Sequence, residues 1–100
     1  MRRYQQRVDQ NQPAIVAALR KAGCSVAVLN DLVDLAIGYG GVTLLAEVKN
    51  GPKPLKKGRQ AEFHASWTGG IRLLRSLGDV PPTVETLKRW HAAIVSHGMQ

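Results

Sequence analysis

Asn30-Asp31-Leu32-Val33-Asp34-Leu35-Ala36-Ile37-Gly38-Tyr39-Gly40-Gly41-Val42-Thr43-Leu44-Leu45-Ala46-Glu47-Val48-Lys49-Asn50 decides how this chain folds. Apolar residues dominate both arms, and Gly40-Gly41 separates them, a pair suited to a two-residue type I′ turn. The pattern predicts a hairpin with arms at roughly residues 32–39 and 42–49. If Tyr39 pairs with Val42, Asp34 lies opposite Glu47. Side chains alternate along a strand, so Glu47 and Lys49 share one face and Asp34 joins them there. Directly opposed carboxylates have Cβ atoms roughly 5 Å apart and destabilise a sheet unless something neutralises them. A divalent cation would do so, and the pair reads as a metal site. Leu32, Ala36 and Leu45 on the same face suit partial burial, where carboxylates need pairing or a metal. The alternative is a charged cluster on a solvated sheet face.

Upstream, Asn11 is placed to cap a helix with Pro13 in its first turn and Ile15, Val16, Leu19 and Ala22 along one stripe, stopped by Gly23. Cys24 to Leu29 reads as a short buried strand, followed by an Asn30-Asp31 turn. Downstream, residues 50–58 combine Gly, Pro and Lys and read as a loop. A helix from about Gly58 to Trp67 carries Gln60, Phe63, His64 and Trp67 on one face. Gly69-Gly70 ends it, and Ile71 to Ser76 is the next strand, reached by a parallel crossover of right-handed type. Pro81-Pro82-Thr83 opens a final helix with Val84, Leu87, His91, Ile94 and Val95 as its stripe. Phe63, Trp67 and Trp90 read as core. The predicted order is α-β-β-β-α-β-α, a mixed sheet with helices packed on it.

The chain has 100 residues, 44% of them hydrophobic, which suits one domain over residues 1–100 with a modest core. No apolar run is long enough for a transmembrane helix, and the basic N-terminus leads into no signal-peptide core. A cytoplasmic protein with no membrane partner is expected. Cys24 stands alone, which excludes an internal disulfide framework and reads as a buried structural thiol. Fourteen Lys and Arg against seven Asp and Glu give a net charge of +7, which favours a polyanionic partner, most often nucleic acid. Lys53, Lys56, Lys57 and Arg59 make the densest basic segment, suited to phosphate contacts that position DNA without reading its sequence.

Together, these residues resemble the PD-(D/E)XK nuclease signature. Asp34 is followed after twelve residues by Glu47-Val48-Lys49 on paired strands, within an α-β-β-β-α-β order. More closely, Asp9 to Trp67 is similar to small VRR-NUC-type nucleases of phages and prophages. The shared elements are Val33-Asp34-Leu35, Gly38-Tyr39-Gly40-Gly41, Glu47-Val48-Lys49, Gln60 and Phe63-His64. Val33 stands where the motif has proline, which is not a ligand. The resemblance implies an α/β fold with a restriction-endonuclease-like core and an extra C-terminal helix.

The resemblance further implies a metal-dependent DNA endonuclease leaving 5′-phosphate and 3′-hydroxyl ends, in bacterial or phage-infected cytoplasm. Mg²⁺ or Mn²⁺ would be held by Asp34, Glu47 and the Val48 carbonyl, hard oxygen donors of the kind these ions prefer. No other cofactor is implied. Lys49 would hold the attacking water or stabilise the pentavalent phosphorus, and Gln60 would position a water or the phosphate. Many relatives have a first-helix glutamate with no clear counterpart here. Asp9 or Asn11 could stand in for it, leaving one ion or two open. His64 reads either as a general acid near the site or as a core histidine. A chain this short leaves no room for a separate recognition domain, which favours structure-selective cutting of junctions or flaps, weakly specific cutting, or a homodimer whose second copy supplies the rest of the DNA surface. The alternative is a non-catalytic nucleic-acid-binding module on the same fold.

Overall fold

The computed structural model of the chain describes residues 9–54 and 58–97. It is an α/β fold in which three helices pack around a four-stranded mixed sheet of order β1-β2-β3-β4. The elements run α1 Gln12–Lys21, β1 Ser25–Val28, β2 Leu35–Tyr39, β3 Val42–Val48, α2 Arg59–Ser66 and β4 Ile71–Leu74. A single 3-10 turn, Leu77–Asp79, leads into α3, Val80–His97. β1, β2 and β3 form an antiparallel meander, and α2 connects β3 to the parallel strand β4. Among the described residues, no helix is long and apolar enough to cross a membrane.

The hairpin register is the one the Gly40-Gly41 turn dictates: Tyr39 faces Val42 and Leu35 faces Ala46. Both turn glycines have positive φ, 53° and 89°, as a type I′ turn requires. A Cβ on Gly40 would also sit 2.5 Å from Nδ1 of His91, whose ring contacts the Gly40 carbonyl oxygen at 2.8 Å and packs edge-on against Tyr39. Gly40→Ala is therefore expected to cost more than Gly41→Ala, which meets no neighbour within 4 Å. The left-handed backbone alone costs about 1–2 kcal/mol at either position. Urea unfolding of the two variants measures the excess due to His91.

Alternation along the strands divides the sheet into two unlike faces. Leu35, Ile37, Leu44, Ala46, Val48 and Leu74 are buried in one core with Ile15, Val16 and Leu19 of α1 and Val80, Val84 and Leu87 of α3. Cys24 lies in the same core as a free thiol, raised above its ordinary pKa by burial. The opposite face carries Ala36, Leu45 and Glu47, and Leu73 pairs beside Glu47 from β4.

Several expectations are corrected. The first hairpin arm begins at Leu35, because the Asp34 carbonyl accepts from both the Leu29 and Asn30 amides and folds residues 31–34 into a bend. β1 is an exposed edge strand, with Val28 46% exposed, since the sheet order leaves it one neighbour. Phe63, Trp67 and Trp90 lie outside the core, as do Ile94 and Val95 on the far half of α3.

Asn11 precedes α1 without capping it through its side chain. Its amide nitrogen instead donates to the carbonyls of Lys49, at 3.1 Å, and Arg75, at 3.0 Å, tying α1 to the ends of the parallel strands β3 and β4. Removing this clamp in Asn11→Ala leaves two carbonyls to find new donors. A loss of about 1–3 kcal/mol is expected, measurable by thermal unfolding.

Candidate active site

Where β2 gives way to the bend, the Asp34 side chain takes over part of the ladder. Its Oδ2 accepts a 2.8 Å hydrogen bond from the Val48 amide, while the Asp34 amide still donates to the Ala46 carbonyl. This holds the carboxylate beside Glu47, and the two side chains stand within hydrogen-bonding reach of each other. Glu47 is 2% exposed. Its Oε2 receives the Gln60 side-chain amide at 2.6 Å and lies 3.6 Å from Nζ of Lys49, which is also buried. The structure thus brings together Asp34, Glu47, Lys49 and Gln60, from β2's entry, the end of β3 and the first turn of α2. Val48, whose carbonyl was expected to join them, lies between Glu47 and Lys49 in the chain, with its side chain buried in the core.

Two carboxyls and one ammonium in a buried setting do not balance. Burial, followed by the charge of Asp34 and a hydrogen bond to it, pushes the Glu47 carboxyl up to about 7. Burial also raises Asp34, against the opposing pull of the Val48 amide, Glu47 and Lys49. The second oxygen of Glu47, Oε1, is shielded from solvent and has no hydrogen-bond partner among the described residues. A buried carboxylate oxygen without a donor is costly, and hard cations are among the groups that relieve such a cost. No third His, Cys, Asp or Glu completes a metal-ligating group with this pair among the described residues. Zinc, which takes four mostly nitrogen and sulfur ligands in structural sites and three in catalytic ones, does not fit. Mg²⁺ and Mn²⁺ do, since Mg²⁺ is commonly held by one or two carboxylates and keeps several waters.

The first-helix alternatives are now placed. Asp9 pairs with Lys53 at 3.8 Å and adds its charge to the effects raising Asp34, so a third acid borders the site without entering its ligand group. Asn11 serves the clamp described above. Among the basic residues, Lys53 is largely exposed and Arg59 opens α2 at the surface. Arg75 donates to the carbonyls of Gly51 and Lys53 and holds the start of this segment against β4. Lys56 and Lys57 lie outside the described residues.

His64 is the residue the sequence left ambiguous. It follows Gln60 by one helical turn and is absent from the apolar core. Its Nε2 is shielded from solvent without a partner among the described residues. Burial and the Lys49 charge hold its pKa below the usual imidazole range, with Asp34 opposing.

A separate cleft of about 250 Å³ lies between β4 and α3, lined by Arg72, Leu74, Asp79 and Thr83 among others. Its polar groups have partners: Asp79 accepts from the Arg75 and Ser76 amides, and Arg72 donates to Thr83. The chemistry-bearing cluster is on the other sheet face. Compared with known proteins, the chain matches no family model, no curated protein and no solved structure.

Proposed function

We propose that this chain is a metal-dependent endodeoxyribonuclease built on a restriction-endonuclease-like core of the PD-(D/E)XK type. The observation that carries the reading is the buried, unbalanced Asp34–Glu47 pair, flanked by Lys49 and Gln60, with one Glu47 oxygen lacking a donor among the described residues. A structural cluster would be expected to satisfy its own members. This one has an excess of negative charge on a chain of net charge +7.

Asp34, Glu47 and the Val48 carbonyl would hold Mg²⁺ or Mn²⁺. When bound, the ion supplies Lewis-acid charge to the attacking water and to the phosphoryl oxygens. The Lys49 side chain beside Glu47 stabilises negative charge growing on phosphorus. Gln60 fixes the orientation of Glu47 and presents an amide to a water or phosphate. The net reaction joins a water oxygen to phosphorus and breaks the bond to the 3′ oxygen, which leaves as a hydroxyl, while the new end carries the 5′-phosphate. Lys53, Lys56, Lys57 and Arg59 supply backbone contacts to DNA. A homodimer would set two such sites on opposite strands, in keeping with work on branched DNA in a phage or bacterial setting.

The test is incubation with supercoiled plasmid and with a branched oligonucleotide, in Mg²⁺, in Mn²⁺ and in chelator, alongside Glu47→Ala. Cutting that needs the metal and disappears in the variant is expected. Cutting that survives in Glu47→Ala would remove the site assignment. Tight binding without cutting on any substrate would instead favour a non-catalytic nucleic-acid-binding module.

A further inference from the structure

We propose that His64 is a substrate-binding residue whose Nε2 donates to a non-bridging oxygen of the phosphodiester lying at the carboxylate pair. This rests on the nuclease reading above and assigns one contact within it.

Geometry places His64 at the site. Residues four apart on a helix share a face, and the Gln60 amide is fixed at 2.6 Å from Glu47. His64 therefore projects from α2 on the side that covers the acids, close enough for Lys49 and Asp34 to act on it. Two other roles fit less well. A core histidine would belong to the apolar cluster and have its nitrogens paired, whereas His64 is outside that cluster and its Nε2 is not paired among the described residues. A metal ligand would complete a ligating group with the two acids, and none exists among the described residues. Its ring also meets Phe63 edge-on at 6.4 Å between centroids, a contact that leaves Nε2 without a partner among the described residues. In the tautomer that carries its proton on Nε2, this shielded nitrogen is a donor without an acceptor among the described residues. Phosphate oxygens are the acceptors that the +7 charge of the chain would draw there.

Two variants separate contact from packing. His64→Phe keeps the ring volume and removes both nitrogens, while His64→Gln places an amide donor near the position of Nε2. The readout is fluorescence anisotropy of a labelled branched oligonucleotide with Ca²⁺ in place of Mg²⁺, together with Mg²⁺ calorimetry and the melting temperature. His64→Phe should bind the oligonucleotide about tenfold more weakly, the effect of losing one hydrogen bond to a charged group. His64→Gln should stay within about threefold of wild type. Both should bind Mg²⁺ as wild type does. His64→Phe should melt no lower than wild type, because an unpaired buried polar group has been replaced by an apolar one. Wild-type oligonucleotide affinity in His64→Phe would overturn the assignment. So would equal weakening in both variants, or weakening accompanied by lost Mg²⁺ binding and a lower melting temperature. If His64→Phe is unaffected while Glu47→Ala abolishes cutting, only the His64 contact fails. If the wild-type protein neither binds nor cuts DNA, the nuclease reading fails and this contact fails with it.

Discussion

Replacing Glu47 by glutamine is expected to raise the melting temperature of the metal-free protein at about pH 8 while slowing Mg²⁺-dependent DNA cutting by about a thousandfold or more. The two effects have one cause. Above the Glu47 pKa of about 7, the cluster holds two carboxylates against the single charge of Lys49. Glutamine has nearly the shape of a protonated glutamate and keeps an oxygen for the Gln60 amide. Lys49 then faces Asp34 alone, so the local charge balances. The same change removes one of two acidic oxygen donors available to a cation, and several kcal/mol of transition-state stabilisation would go with it. A site kept at the expense of stability is a familiar signature of function. If the cluster were only structural, Glu47→Gln would break an ion pair and lower the melting temperature instead. Thermal unfolding and plasmid cutting of the same preparation check both halves.

Metal-free protein is also expected to lose stability as pH rises, the reverse of the usual behaviour of a protein with paired carboxylates. The folded-state pKa of Glu47, about 7, is above its unfolded value of 4.5. Between these values the folded chain binds more protons than the unfolded one. The resulting stability is fully present below about pH 4.5 and is lost as pH rises through about 7. Glu47 is almost wholly buried, so the full shift corresponds to on the order of 3 kcal/mol, or roughly 12–24 °C in melting temperature. Asp34, also raised, acts in the same direction. His64 acts in the opposite one, because its lowered pKa makes the unfolded chain the better proton acceptor around its ordinary value of 6.5. Subtracting the profile of Glu47→Gln from that of wild type isolates the glutamate. Mg²⁺ should erase the loss at high pH, adding about 2.7 kcal/mol at a hundred times its Kd, and should do little at about pH 5, where protons compete for the same oxygens. Calorimetric scans across pH, with and without the ion, read all of this.

The site could be anticipated because its main partners are close in sequence and held by a turn with strict backbone demands. Gly40-Gly41 sets the register, the register sets the alternation, and the alternation puts Asp34 and Glu47 on one face. Asn11 shows where such reasoning stops. Its two carbonyl partners are 38 and 64 residues away, so its cap-like local setting gave no sign of the clamp. The same holds for Arg75 and the basic segment, 22 to 24 residues apart. Edge position is a property of sheet order, so the apolar run at β1 could not reveal that its side chains are exposed. Trp67 follows α2, which buries none of its residues, and Trp90 lies on α3 beyond Leu87, its last buried residue; periodicity does not report where a core ends. His64 required a count of partners that only coordinates supply.

Titration calorimetry of Mg²⁺ or Mn²⁺ into wild type, Asp34→Asn and Glu47→Gln tests most directly whether the opposed carboxylates form a seat for a divalent ion. Near pH 7 the wild-type protein should bind saturably and release protons, because Glu47 is partly protonated there until the ion displaces the proton. Both variants should bind at least about tenfold more weakly, and proton release should vanish with Glu47. A wild-type protein that binds neither ion, or variants that bind as wild type does, would contradict the account.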